Sequence, residues 1–232
     1  MTGPMAADLA EEADNLVLRA ARMIGAPDAG VQLDKRLPVA SGMGGGSSDA
    51  AAVLHLLAQA RGLPLPDTEA LMRLGADLPV CMAAPAPCRM RGLGERVDRV
   101  AGVPSLALLL VNPGQGLPTP CVFKGLIQRE NPPMPRALPR WRDAADLALW
   151  LAGQRNDLEA PARALLPQIA QILDRIAAQP GCLLARMTGS GATCFGLFAE
   201  DHSAAQAAAA LKRPGWFVQA TASAPSGNSL SD

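Results

Sequence analysis

The chain has 232 residues, enough for one large domain or two small domains that each bury a core. Its 21 basic and 21 acidic side chains cancel, and 49% of its residues are hydrophobic, which argues against disorder and against nucleic-acid partners. Five cysteines without CxxC spacing and only two histidines argue against a disulfide framework or a zinc site. Without an apolar run long enough for a membrane span, we expect a cytoplasmic protein with no membrane partner, a monomer or homodimer.

Hydrophobic periodicity and turn residues predict the elements in chain order. In the first half these are a helix over residues 15–24, a strand over 31–37, a glycine loop, a helix ending near 61, a short helix over 67–74 and a hairpin over 89–100. In the second half they are a strand over 105–111, a helix starting near 119, helices over 142–151, 157–165 and 167–178, strands over 183–187 and 194–198, a helix over 203–211 and a strand over 216–220. The order predicts an α+β fold with domains over residues 1–100 and 101–220, followed by a disordered tail over 221–232.

The most informative segment is the glycine loop between the predicted strand and the next helix. Four of the five residues from 42 to 46 are glycine, and Ser47 and Ser48 follow. Glycine permits positive φ and exposes backbone N–H groups, and the dipole of a following helix favours the same anion. We therefore interpret the loop as a polyphosphate site, with Ser47 or Ser48 capping the helix. A flexible linker is the alternative, but linkers are usually flanked by polar sequence.

The loop and its flanks resemble a known motif. Residues 38–51 are similar to the second motif of the GHMP kinases, a superfamily that includes galactokinase, homoserine kinase and mevalonate kinase. The form GGGSSDA is most similar to the branch that phosphorylates 4-diphosphocytidyl-2-C-methyl-D-erythritol. Further segments resemble that branch in the same order, namely residues 14–16 (DNL), 35–38 (KRLP), 75–80 (GADLPV), 119–123 (TPCVF), 156–159 (NDLE) and 188–192 (TGSGA).

This resemblance implies a fold, a reaction and a set of ATP-binding residues. The fold is the two-domain GHMP kinase fold, with a truncated N-terminal domain like ribosomal protein S5 and a ferredoxin-like C-terminal domain. The reaction is ATP-dependent phosphorylation of the 2-hydroxyl of the cytidine diphosphate derivative, with Mg²⁺, in the non-mevalonate isoprenoid pathway. The implied cofactor-binding residues are Lys35, Pro38, Val39, Ala40, Ser41, Gly42, Met43, Gly44, Gly45, Gly46, Ser47 and Ser48. Of these, Ser47 is also a possible Mg²⁺ ligand, and Ala40 and Ser41 replace glycines common in the branch.

The resemblance also implies a catalytic base and a substrate-binding turn. Asp77, in GADLPV, is the implied base, because a hydroxyl attacks poorly at neutral pH unless a carboxylate accepts its proton. From the residues alone, Asp77 could equally be a turn or helix-end aspartate bonded to backbone N–H groups. Gly189, Ser190 and Gly191 are implied to close over the substrate, although a GSG between strands is more often a plain turn.

Other residues in these segments have structural interpretations. We interpret residues 156–159 as a helix N-cap followed by acidic first-turn residues, and not as a site. Cys81, Cys121 and Cys194 are expected to be buried packing residues.

Two segments of the family are not in this sequence. They are a Pro-Ala-Lys-Ile-Asn-Leu strand, whose lysine pairs with the catalytic aspartate, and an aspartate-glycine-tyrosine-histidine segment that holds the cytosine. The chain contains no tyrosine, and its first lysine is Lys35. A start assigned too late, a fragment or a degenerate copy would each produce this pattern. From the sequence as written we expect weak or no activity and a tendency to aggregate.

Two alternatives to this kinase remain open at this stage. One is a nucleotide-binding or regulatory protein that keeps the loop without catalysis, which ATP binding without turnover would indicate. The other is a different GHMP kinase, for example of homoserine or mevalonate. The GGGSSDA form and residues 119–123 and 156–159 argue against that second alternative.

Overall fold

The computed structural model describes residues 1–6 and 15–223. The chain divides into two compact units. The first comprises Met1–Val39 and Gly44–Ala101, and the second comprises Ala40–Met43 and the residues from Gly102 onward. The predicted glycine loop is therefore divided, since four of its residues are grouped with the second unit. Asp14, which opens the DNL segment, lies outside the described residues.

The described residues of the first unit form four helices and a hairpin. These are α1 (Leu16–Met23), α2 (Gly45–Arg61), α3 (Thr68–Leu74), α4 (Leu78–Met82), β1 (Cys88–Arg91) and β2 (Arg96–Arg99), with β1 and β2 antiparallel. Asn15 caps α1 and Asp67 caps α3 through side-chain oxygens, while Gly62 in the left-handed conformation ends α2. The core of this unit is built mainly from small residues and leucines of α1, α2 and α4, namely Ala20, Ala50, Ala51, Leu54 and Leu78. This packing fixes α4 against α2.

The predicted strand over residues 31–37 is wrong. Asp34 makes one isolated parallel bridge to Thr2, and no strand forms in the described part of this segment. A strand needs a continuous ladder of pairs with a neighbour, and one bridge does not supply it. The apolar side chains that suggested the strand, Val31 and Leu33, pack instead against a small cluster that includes Val53 of α2.

The second unit is a four-stranded antiparallel sheet with helices. Its elements are β3 (Ala107–Asn112), α5 (Thr119–Lys124), α6 (Ala144–Ala152), α7 (Glu159–Leu165), α8 (Gln168–Ala177), β4 (Cys182–Met187), β5 (Cys194–Phe198), α9 (Asp201–Leu211) and β6 (Phe217–Ala222). The strand order is β4-β5-β3-β6, the order of a ferredoxin-like βαββαβ sheet. Leu109 and Val111 of the central β3 are fully buried in the core beneath it. The predicted α+β class is confirmed.

Two predictions for the second half need correction. Strand β6 extends to Ala222, so the tail predicted to begin at residue 221 is wrong for its first two residues, and residues 224–232 lie outside the described part. Cys121 is exposed and not buried, because it lies on the outer side of the short helix α5. Cys194 is buried in β5, and burial raises the pKa of its thiol to about 12.

Among the residues that the structure describes, no helix combines the length and the apolar character needed to cross a bilayer.

Candidate active site

The N-terminus of α2 is the first part of the candidate site. Gly44 is the N-cap residue, with φ 67°, and no side chain caps the helix. The helix begins at Gly45, so Ser47 and Ser48 lie in its first turn, and the prediction that one of them is the cap is wrong. Because the first N–H groups of a helix have no partner within it, this end of a 17-residue helix keeps donors available for an anion.

Ala40 and Ser41, which replace glycines common in the branch, differ in backbone conformation. Ala40 has φ 49° and is the one non-glycine residue with positive φ among residues 1–6 and 15–223. A left-handed conformation costs an alanine about 1–2 kcal/mol, and glycine would adopt it without that cost. Ser41 is buried, and its carbonyl oxygen accepts a hydrogen bond from the Thr193 N–H at 3.2 Å. The backbone of this segment is thus anchored within the second unit.

Lys35 is buried beneath the start of α2. Its Nζ lies 3.0 Å from Oδ2 of Asp49, which is in the first turns of that helix. A Cβ added to Gly45 would lie 3.5 Å from the same Nζ, so the ammonium is close to the helix N-terminus. The resemblance predicts Lys35, but not Asp49, as a nucleotide-binding residue. The structure shows that the charge of Lys35 is neutralised within the first unit by Asp49.

We expect Lys35→Met to lower the free energy of unfolding by about 1–3 kcal/mol, because it leaves the partly buried Asp49 carboxylate without its partner. The neighbouring Arg36→Met is the matched control. Arg36 pairs with Asp34 at 2.8 Å, but its side chain is 78% exposed, and an exposed ion pair contributes about 0–1 kcal/mol. Urea unfolding of both variants measures the difference. Equal losses would contradict a structural role for the Lys35–Asp49 pair.

Asp77 lies immediately before α4 with an exposed side chain. It occupies the N-cap position, but its backbone is helical (φ −86°, ψ −8°) and its carboxylate caps no N–H group. Asp77 thus lies at a helix end, but its carboxylate makes no capping bond there, contrary to the alternative of a turn or helix-end aspartate bonded to backbone N–H groups. The hairpin packs against this point, since a Cβ on Gly94 would lie 2.2 Å from the carbonyl oxygen of Ala76. Asp77 is an exposed carboxylate on a backbone that its neighbours hold in place.

Cys81 connects Asp77 to the first turn of α2. Its Sγ lies 3.6 Å from Oγ of Ser48. Burial raises the pKa of the Cys81 thiol and the Asp77 carboxylate raises it further, while the contact with Ser48 lowers it. Residues four apart share one helix face, so Asp77 and Cys81 lie on the face of α4 that meets Ser48. Cys81 of the first unit is thus a neighbour of both Asp77 and Ser48.

The second glycine turn lies in the second unit, between β4 and β5. Ser190 is buried, and its Oγ lies 2.9 Å from Oγ1 of Thr119, the first residue of α5. Thr188 donates from Oγ1 to the carbonyl oxygen of Gly42 at 3.1 Å. The turn therefore contacts the Ala40–Met43 part of the glycine loop directly, a contact that the sequence analysis did not predict.

Glycine is required on both sides of this contact. Gly42 has φ 73°, and a Cβ there would lie 2.6 Å from the carbonyl oxygen of Gly191 and 2.7 Å from that of Thr188. A Cβ on Gly189 would lie 2.9 Å from the carbonyl oxygen of Gly42. The two backbones approach so closely that no side chain fits between them.

Asn156 is a second residue that the sequence analysis did not select. Its side-chain amide donates to the carbonyl oxygens of Met187 and Gly189, on both sides of Thr188. The interpretation of residues 156–159 as an N-cap followed by first-turn residues is wrong, because the N-cap position of α7 is Leu158 and no side chain caps the helix. Asn156 instead lies two residues before that position, where its side chain forms an Asx turn by accepting the Leu158 N–H.

The side chains near the N-terminus of α2 could hold Mg²⁺ only if phosphate oxygens of a nucleotide supplied further ligands. Among the described residues no group of three or more His, Cys, Asp or Glu side chains could hold a metal ion. Nucleotide-bound Mg²⁺ needs few protein ligands, since it keeps waters and takes phosphate oxygens. The Ser47 hydroxyl in the first turn of α2 is compatible with that role.

Two family models match the chain. The model described as GHMP kinases N terminal domain matches residues 15–88, and the model described as GHMP kinases C terminal matches residues 135–215. The chain therefore belongs to the GHMP kinase family, and the fold predicted from its motifs is confirmed.

Individual relatives define the branch. The chain is 55% identical over 222 residues to the 4-diphosphocytidyl-2-C-methyl-D-erythritol kinase of Cereibacter sphaeroides, covering 94% of this chain and 80% of that protein. It is 54% identical over 227 residues to the enzyme of the same name from Paracoccus denitrificans, covering 97% and 80%. The branch predicted from GGGSSDA is thereby confirmed.

Solved structures agree with these relatives. A crystal structure of 4-(cytidine 5'-diphospho)-2C-methyl-D-erythritol kinase matches with a TM-score of 0.68 at 31% identity, over 90% of this chain and 79% of that one. A homoserine kinase from Cytophaga hutchinsonii matches with a TM-score of 0.57 at 16% identity, over 90% and 74%, which shows a shared fold alone.

Proposed function

We propose that this chain transfers the γ-phosphoryl group of ATP to the 2-hydroxyl of 4-diphosphocytidyl-2-C-methyl-D-erythritol, a step of isoprenoid synthesis. The observation that carries the kinase chemistry is the uncapped N-terminus of α2, with Asp77 of the adjoining α4 linked to it through Cys81 and Ser48. The identity of the acceptor is supported by relatives of that name at 53–56% identity over more than nine tenths of this chain.

In this proposal the residues from Pro38 to Ser48 bind the phosphates of ATP. The first N–H groups of α2 donate to phosphate oxygens, and the helix dipole favours the same negative charge. The Ser47 hydroxyl is the proposed ligand of Mg²⁺, which when bound neutralises charge on the phosphates. Lys35 contributes through Asp49, because their ion pair holds the segment before the loop against the first turns of α2.

Asp77 is the proposed general base. Phosphoryl transfer depends mainly on alignment and charge neutralisation, and a carboxylate that accepts the hydroxyl proton adds to both. Asp77 is suited to this task because its carboxylate is exposed and caps no helix. The proton leaves the acceptor hydroxyl as its oxygen bonds to phosphorus, and the bond from phosphorus to the bridging oxygen of ADP breaks.

The turn of Gly189, Ser190 and Gly191 is the proposed substrate-binding element of the second unit. The Ser190 hydroxyl is bonded to that of Thr119, and the Gly191 N–H donates to the Thr188 carbonyl oxygen, so the turn offers a fixed surface at low entropic cost. A cytoplasmic location and a monomeric or homodimeric state belong to the same proposal.

A phosphoryl-acceptor panel tests the proposed function. The chain is incubated in excess over each acceptor with ATP labelled at the γ-phosphate and Mg²⁺, which makes even a slow single turnover visible. We expect label on 4-diphosphocytidyl-2-C-methyl-D-erythritol and none on homoserine or mevalonate. Label on either of those two, or ATP binding without label on any acceptor, would contradict the proposal.

A further inference from the structure

We propose that Asn156 is a positioning residue that sets the Thr188–Gly191 turn and, through that turn, the Ala40–Met43 part of the glycine loop. Its effect on catalysis rests on the proposed kinase function, but the contacts that carry it lie entirely within the second unit. This proposed role of Asn156 goes beyond the capping role that the sequence predicts for residues 156–159.

Both N–H groups and the oxygen of the Asn156 side-chain amide form hydrogen bonds to backbone groups. Its Nδ2 lies 3.1 Å from the carbonyl oxygen of Met187 and 2.9 Å from that of Gly189. Its Oδ1 accepts the Leu158 N–H at 3.1 Å. An asparagine amide has two N–H donors, and both are used, one on the last residue of β4 and one on the turn. Asn156 therefore keeps no donor for a substrate, and its role is to hold backbone in place.

Only one orientation of the amide fits these partners. Two carbonyl oxygens face one end of the side chain and a backbone N–H faces the other, so the nitrogen must point to the turn and the oxygen to Leu158. The same residue thus performs two separable tasks. Its oxygen organises the start of α7, and its nitrogen holds the turn.

The held carbonyl groups flank the residue that contacts the glycine loop. Met187 and Gly189 lie on either side of Thr188, and the Thr188 hydroxyl donates to the carbonyl oxygen of Gly42. Thr193, on the far side of the turn, donates its N–H to the carbonyl oxygen of Ser41. A shift of the turn therefore shifts the Ala40–Met43 segment, because no side chain or gap separates the two backbones.

An aspartate at position 156 could still accept the Leu158 N–H but could not donate to the carbonyl oxygens of Met187 and Gly189. Aspartate can accept the Leu158 N–H in an Asx turn as well as asparagine does, since both present an acceptor oxygen. At neutral pH aspartate has no donor, and its carboxylate at this position would place negative oxygen about 3 Å from two carbonyl oxygens, which repel it. Asn156→Asp therefore keeps the bond from the Leu158 N–H and removes the contact with the turn, whereas Asn156→Ala removes both.

The test combines kinetics with hydrogen–deuterium exchange on Asn156→Asp, Asn156→Ala and the matched control Gln179→Glu. Gln179 also donates its side-chain amide to a carbonyl oxygen, that of Arg175, but at the end of α8. We expect kcat/KM for ATP to fall about tenfold in Asn156→Ala, further in Asn156→Asp, and by less than twofold in the control. Deuterium uptake should rise in peptides covering residues 40–43 and 188–193 and stay unchanged in α9.

If Asn156 acted only through its bond to the Leu158 N–H, the pattern would be different. Asn156→Asp would then match the wild type and only Asn156→Ala would lose activity, a result that overturns the proposal. Uptake that rises throughout the second unit would also overturn it. If Asn156→Asp does not fold, Asn156→Ser replaces it, because serine can bond a backbone N–H two residues on but has no amide donors. Deuterium uptake needs no acceptor, so a chain that phosphorylates none of the tested acceptors still tests the role of Asn156.

Discussion

Replacing Asp77 by asparagine is expected to lower kcat about 10²- to 10⁴-fold without lowering stability. The proposed base loses its ability to accept the proton, while the shape of the side chain is kept. Stability should not change, because the carboxylate is exposed and caps no backbone N–H group. Binding of ATP should also be retained, since the uncapped end of α2 is unaltered.

Asp67→Asn is the matched control for this substitution. Asp67 is also an exposed N-cap aspartate of the first unit, but its side chain accepts from the Ala70 N–H at 2.8 Å. Asparagine caps a helix equally well, so activity and stability should both be preserved. Single-turnover rates and thermal unfolding of the two variants give the comparison. An Asp77→Asn enzyme that keeps more than about a tenth of the wild-type rate would remove Asp77 from the role of base.

Gly42→Ala is expected to lower the free energy of unfolding of the chain by about 2–4 kcal/mol and to weaken ATP binding. Two effects add at this position. Alanine is strained at φ 73°, and its Cβ would lie within 2.9 Å of backbone atoms of Gly191 and Thr188, which cannot move aside as a side chain can.

Gly44→Ala separates these two effects. Gly44 has nearly the same φ, 67°, but an added Cβ there meets no atom within 4 Å. Gly44→Ala should therefore lower the free energy of unfolding by only the conformational penalty of about 1–2 kcal/mol. Urea unfolding measures both variants, and titration with ATP measures the effect on binding. Equal destabilisation would mean that the turn and the loop can separate, which contradicts the tight contact between them.

Much of the fold follows from local patterns in the sequence. The helices with clear apolar spacing and capping residues, such as α1 after Asn15 and α3 after Asp67, form where they are predicted. The strands β3 and β5 are apolar runs between turn residues and are also predicted correctly. These elements are determined by periods of 3.6 or 2 residues, which a single sequence displays.

The errors occur where the outcome depends on distant partners. Residues 31–37 have the composition of a strand but pair only through Asp34, and pairing is not a local property. Helix α4 has five residues and begins with Leu78 and Pro79, too short for a period to be visible. The first turn of α2 begins at a left-handed Gly44, so the serines that looked like caps lie inside the helix.

The contacts within the candidate site also depend on residues that are distant in the sequence. The motif positions of Asp77 and of the glycine loop could be found from the resemblance, but the contacts that organise them could not. Lys35 and Asp49 are 14 residues apart, and Asn156 is 33 residues from Gly189. Their ion pair and hydrogen bonds depend on how separate elements pack, which no local spacing reveals.

The most direct test of the proposed function is the proton-coupled ³¹P NMR spectrum of the reaction product. Carbon 2 of the acceptor carries a methyl group and no hydrogen, so a phosphate on the 2-hydroxyl has no proton three bonds away and gives an unsplit phosphomonoester signal. We predict that the chain, ATP, Mg²⁺ and 4-diphosphocytidyl-2-C-methyl-D-erythritol produce this singlet together with ADP. A doublet or triplet, which marks a phosphate on a neighbouring hydroxyl, or ADP formation without a new phosphomonoester, would contradict it.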